Sequence, residues 1–81
     1  MIKQKMHKIS PPFSVEFDRE EDGRWIAEVP NLPGVMAYGS TKQAALQKVY
    51  AITLRTLADK IEQGQTPAPV SRLFEHEMAY R

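Results

Sequence analysis

The chain predicts an α+β fold: a small mixed sheet in the order β-β-β-α-β, with one long helix on one face. Three observations point there. Phe13, Val15 and Phe17 alternate with Ser14, Glu16 and Asp18; a Pro/Gly corner interrupts the run from Trp25 to Tyr38; and the apolar spacing switches to three or four residues after Thr41.

The first strand, 13–19, ends in charge, and Glu20-Glu21-Asp22-Gly23 supplies an Asp-Gly turn of the kind that joins antiparallel strands. The chain then returns over 24–29, with Trp25, Ala27 and Val29 on the buried face and Glu28 outside. Pro30 stops that strand, because proline lacks the backbone donor a central strand needs, so Asn31 to Gly34 must turn. Val35 to Tyr38 form a third strand. Gly39 frees the backbone before Ser40, whose hydroxyl is placed to cap a helix while Gln43 reaches back from three positions on.

From there Ala45, Leu46, Val49, Tyr50, Leu54, Leu57, Ala58 and Ile61 share a helical stripe, with Lys42, Lys48, Arg55, Asp59 and Glu62 mostly opposite. Gly64 is the expected left-handed terminator, and Pro67 and Pro69 prevent continuation. A helix over 41–64 spans roughly 36 Å against about 20 Å for a six-residue strand, so roughly 15 Å should overhang the sheet. After the prolines the residues alternate again, which predicts a fourth strand over 71–78. A helical crossover should return it parallel to the first or third strand.

Composition narrows the function classes. The 81 residues contain no cysteine, which excludes a disulfide framework and thiolate metal sites, and no long apolar run that would span a membrane. A soluble cytoplasmic protein is the expectation, organised as a flexible basic leader over 1–12 (Lys3, Lys5, His7, Lys8) followed by one domain over 13–81. The formal net charge of +1 does not suggest a surface built to neutralise phosphates. Six of the ten acidic residues (Glu16, Asp18, Glu20, Glu21, Asp22 and Glu28) fall between positions 16 and 28, so the first hairpin is acidic.

Ile26, Met36 and Tyr38 fall out of phase with the buried face, which makes the second sheet face partly apolar and predicts a partner or oligomer surface. A homodimer or higher homo-oligomer is expected, with Met36 and Tyr38 from the sheet, Leu57 and Ile61 from the overhanging helix and Phe74 from the last strand at the interface.

The corner Pro30-Asn31-Leu32-Pro33-Gly34, the helix start Gly39-Ser40-Thr41 with Ala44-Ala45, and the exit Gly64-x-x-Pro67-x-Pro69 together resemble the HicB-like antitoxins of type II toxin–antitoxin systems. The likeness runs from Phe13 to Ser71. It implies a partial ribonuclease-H-like fold and an antitoxin subunit that binds a small basic toxin of the HicA type, an mRNA-cleaving ribonuclease whose active-site histidine it occludes. Many members add a carboxy-terminal DNA-binding domain. Here the ten residues after Ser71 are too few for a helix-turn-helix, so a compact form without a DNA-binding domain is expected and autonomous promoter binding is doubtful. Thr41-Lys42-Gln43 also replaces the acidic pair usual at the start of the family's helix.

No catalytic residue, metal or cofactor is expected. Asp18 and Glu28 could be neighbours across the hairpin, but no further carboxylates converge on them from the helix, as a two-metal ribonuclease would need. His7 and His76 lack a nucleophile beside them. The acidic hairpin has a simpler use, mimicking the phosphates that a basic ribonuclease surface is built to hold. Asp18, Glu21, Asp22 and Glu28 are expected to steer that toxin and Trp25 or neighbouring apolar residues to anchor it. The alternative is a stand-alone nucleic-acid-binding or regulatory module, in which the sheet and the basic leader contact RNA or DNA.

Overall fold

The structure is a computed structural model that describes residues 13–74. Three short strands, β1 (Glu16–Arg19), β2 (Trp25–Glu28) and β3 (Met36–Gly39), form an antiparallel sheet with β2 in the centre. One long helix, α1 (Lys42–Glu62), packs against β2 and β3, and a single helical turn, α2 (Ala68–Ser71), follows it. The described chain is therefore α+β in the order β-β-β-α.

The first connection is a three-residue loop. Gly23 N–H donates to the Glu20 carbonyl (2.9 Å) and Glu20 N–H to the Arg24 carbonyl (2.7 Å). Gly23 sits at φ +92°, so the loop is a tight turn closed by a left-handed residue. The corner between β2 and β3 is two turns in series: Leu32 N–H donates to the Val29 carbonyl, and Val35 N–H to the Leu32 carbonyl, each at 3.0 Å. Pro30 ends the β2 ladder as expected, while Val29 N–H still reaches the Val35 carbonyl. The corner also points inward. Leu32 is buried, and the Asn31 side chain accepts from Ser14 N–H at 3.3 Å, tying the corner to the residues that lead into β1.

Thr41, not Ser40, caps α1. Its extended backbone (φ −129°, ψ 162°) lets the hydroxyl accept from Ala44 N–H at 3.0 Å. With the cap one residue later, the third helical position is Ala44 rather than Gln43, so no reciprocal capping box can form. The far end closes as expected: Gln65 N–H donates to the Lys60 carbonyl and Gly64 N–H to the Ile61 carbonyl (both 2.9 Å), with Gly64 at φ +91°.

Between helix and sheet lies one core of Ala27, Val29, Leu32, Val35, Ala37, Ala45, Val49, Leu57 and Val70. The helix buries Ala45, Val49, Thr53 and Leu57 at a spacing of four, whereas Tyr50, Leu54 and Ala58 from the expected stripe stand exposed. Thr53 is tolerated inside because its hydroxyl donates to the Val49 carbonyl at 2.7 Å, leaving the methyl to face the core.

Two expectations are corrected. Leu57 is 4% exposed and shares the buried cluster with Leu32 and Val70, so the chain's own corner and return segment cover this part of the helix without a second copy. Residues 71–74 are also not strand. Ser71 ends α2, its hydroxyl donating to the Ala68 carbonyl, and Leu73 N–H donates to the Val70 carbonyl at 3.0 Å in a continuing turn. The prolines explain this: their fixed φ suits the first turn of a helix, and Pro69 stands inside it. The remainder of the expected strand, 75–78, and the leader over 1–12 lie outside the described residues.

Gly39 is where helix and sheet come closest: a Cβ there would strike the backbone of Ala44 and Ala45. Gly39→Val should therefore lower stability by about 2 kcal/mol or more, as overpacking of a rigid backbone contact does. The midpoint of urea unfolding measures it, and an unchanged midpoint would contradict the close approach.

Candidate functional site

Period two along antiparallel strands sends alternate residues to opposite faces, and the register here sets the outer face in rows. Glu16 lies opposite Glu28, which lies opposite Met36; Asp18 lies opposite Ile26, which lies opposite Tyr38. One side of this face is acidic and the other apolar, with Met36 40% and Tyr38 38% exposed. The helix covers the other face, so these side chains point away from the core.

Among the described residues no ion pair neutralises the acidic side from within. Among the described residues the ion pair present is Arg24 Nε to Asp22 Oδ2 at 2.9 Å, and it leaves Glu16, Asp18 and Glu28 without a cation partner within 4 Å. Glu16 directly opposite Glu28 is a like-charge cross-strand pair, an arrangement that destabilises a sheet by a fraction of a kcal/mol, about 0.2–1. Asp18 uses one carboxylate oxygen locally, accepting from Arg19 N–H at 2.8 Å.

The structure divides the five residues expected to meet a partner. Asp18 and Glu28 share the outer face. Glu21 and Asp22 sit in the exposed loop, and Asp22 is committed there: Oδ1 accepts from Arg24 N–H at 3.0 Å while Oδ2 takes the Arg24 guanidinium. The bond from the Arg24 backbone holds the Asp22 carboxyl below its ordinary value, assisted by the guanidinium charge. Trp25 stands apart from all four. It is half-buried on the helix side of the sheet, as its phase with Ala27 and Val29 requires, and does not adjoin the acidic row.

Three residues of the face lay outside that expected set. Glu16 shares the phase of Asp18 and was legible from the alternation alone. Ile26, half-buried, forms the middle of the face. Arg24 is laid over the Tyr38 ring with its guanidinium carbon 4.3 Å from the centroid, a contact that depends on the loop geometry and left no signal in the spacing.

On the helix side, Arg19 and Lys42 converge on aromatics. The Arg19 guanidinium lies 5.0 Å from the Trp25 centroid, and Lys42 Nζ lies 4.8 Å from Phe17 and 5.6 Å from Trp25. This explains a lysine at the first position of α1, whose first turn has no acidic residue. The unfavourable helix dipole, about 0.3–1 kcal/mol, is offset by cation–π contacts of about 0.5–1 kcal/mol at an exposed site.

Of the oligomer residues expected, Met36 and Tyr38 belong to the outer face, Ile61 (45% exposed) to the end of α1, and Phe74 (64%) to the segment after α2, while Leu57 is core. Among the described residues no three acidic or histidine side chains come together to hold a metal ion, and no helix is long and apolar enough to cross a membrane. Comparison of the chain with family models, with curated proteins and with solved structures found no match in any of the three.

Two measurements check this geometry. Glu28→Lys turns the Glu16 pair attractive and should raise the stability of the free domain by a few tenths of a kcal/mol, read as a higher urea midpoint; a lower midpoint would contradict the register. Because the Asp22 pKa is lowered on folding, its contribution to stability is full above the ordinary carboxylate value of 3.8 and is lost as pH falls through the lower folded value. A carboxyl-detected NMR titration should show Asp22 titrating below 3.8, and Arg24→Ala should move it back up.

Proposed function

We propose that this chain is a HicB-like antitoxin subunit acting in the cytoplasm, which neutralises a small basic mRNA-cleaving toxin of the HicA type by binding over its active site. It performs no chemistry of its own in this role. The observation that carries the reading is the outer sheet face. Glu16, Asp18 and Glu28 stand there without a cation partner among the described residues, beside an apolar strip of Ile26, Met36 and Tyr38. Carboxylates kept close together at a cost in stability suit a partner that brings the positive charge. A ribonuclease must carry such charge to hold its phosphate substrate, and complementary charge speeds the encounter while apolar contact slows release. The corner Pro30–Gly34 and the helix start at Gly39–Thr41 support the same family.

A second reading, a nucleic-acid-binding or regulatory module, draws on Arg19 and Lys42 over Phe17 and Trp25, since cations beside aromatic rings also suit a stacked, phosphate-bearing strand. The two readings separate by salt. Phosphate binding weakens steeply between low and moderate salt, whereas a toxin-binder shows little affinity for a random duplex at any salt.

The test is co-expression with the small basic protein of the adjacent reading frame, followed by calorimetry on the purified pair. The chain should rescue growth and bind. Reversing charge at Glu16, Asp18 and Glu28 together should slow association roughly ten- to a hundredfold at low salt. No rescue, or association unchanged by the triple reversal, would overturn the reading.

A further inference from the structure

Large apolar side chains are exposed on two opposite sides of the molecule. Met36 and Tyr38 belong to the outer face; Tyr50 (50% exposed), Leu54 (62%), Ile61 (45%), Leu73 (53%) and Phe74 (64%) belong to α1 and the segment after it. The second group is organised around a groove. Phe13, Val15, Tyr50, Leu54, Leu57 and Leu73 line an open volume of about 320 Å³ whose walls are almost wholly apolar. Thr53 also borders it, and its hydroxyl is already spent on the Val49 carbonyl. Nothing in this groove asks for a polar ligand.

We propose that the occupant is a second copy of this chain, docked through α1 in antiparallel orientation so that each copy's Tyr50–Leu54–Ile61 edge covers the other's groove. Area, shape and charge point to this occupant. Five side chains of this size at these exposures leave on the order of 500 Å² uncovered, the upper end for a monomer's largest apolar patch, and their polar surroundings extend it toward the ~800 Å² per partner of a stable pair. Ala51 and Ala58 are exposed beside the stripe seven residues apart, and small side chains there let two helices approach closely. Charge sets the direction: Lys48 and Arg55 stand in the first two-thirds of α1, whereas its last turn, with Asp59, Lys60 and Glu62, is net acidic. Antiparallel copies put each basic stretch beside the other's acidic end, as a self-complementary two-fold interface requires.

This goes beyond the toxin-binding reading and fixes a stoichiometry for it. The groove and the acidic face lie on opposite sides of the sheet, so the pair leaves both acidic faces open and, if that reading holds, takes up two toxins. The pairing is tested on the full chain without any toxin. Size-exclusion with light scattering, from low micromolar to millimolar concentration, should give the mass of two chains. Leu54→Arg should reduce it to one chain with an unchanged circular dichroism spectrum, while Met36→Arg on the outer face should leave it at two. Ala51→Cys, one residue from the midpoint of α1 and so near the two-fold axis, in a chain that has no other cysteine, should form an interchain disulfide on mild oxidation and covers the case in which Leu54→Arg fails to fold. A one-chain mass throughout would overturn the proposal, leaving the groove to this chain's own residues beyond Phe74 or to a different protein. A two-chain mass that survives Leu54→Arg, or that Met36→Arg abolishes, or an Ala51→Cys chain that forms no disulfide, would overturn it equally.

Discussion

The rest of the structure depends on how closely α1 lies on β2 and β3. Ala27, Ala37 and Gly39 on the sheet and Ala45 on the helix are buried small residues, and they bring the two backbones together at the start of α1. A larger side chain at Gly39 would lift the helix. That would open the core, which deepens only towards Val49, Leu57 and Leu32, and would move Thr41 away from its cap and Lys42 away from Phe17 and Trp25. The close contact also decides what is left for partners. A single helix covers a single sheet face, and holding it tightly there leaves the other face uncovered by any described element.

The proposed function rests on that division. The inner sheet face under α1 uses its apolar side chains to fold, whereas the outer face keeps three carboxylates without a cation partner among the described residues, set beside Ile26, Met36 and Tyr38. Folding alone would favour a lysine opposite Glu16. An outer face that sacrifices a little stability is better explained by what it meets than by what it holds together. Asp22 shows the contrast: its carboxylate is tied to Arg24 and serves the loop. Acidic residues close in sequence thus separate into a structural one and those available to a partner.

How much of this was legible in the residues follows from what each signal encodes. The strands and the Pro30–Gly34 corner were legible because proline and glycine act through their own backbones, independently of what packs against them. The helix cap was displaced by one residue because Ser40 and Thr41 are both competent, and the choice between them rests on backbone angles that the packing of Gly39 sets. The buried stripe was legible at Ala45, Val49 and Leu57. Thr53 was missed because its burial depends on a hydroxyl bond to the preceding turn, and Tyr50 and Leu54 were misplaced because apolar spacing does not say which row the sheet will meet. The fourth strand failed over 71–74 because alternation there competes with Pro67 and Pro69, whose fixed φ favours a helical turn. Trp25 was assigned to a partner by residue type although its phase with Ala27 already placed it on the helix side. Phase was the better guide.

The most direct measurement is amide and side-chain NMR of the labelled chain, free and with the small basic toxin added. Binding through the bare sheet face requires perturbation to concentrate at Glu16, Asp18, Ile26, Glu28, Met36 and Tyr38, with the core positions Val49 and Leu57 unchanged. Perturbation confined to α1 and its groove, with the β1–β3 outer face silent, would contradict the division of the two faces.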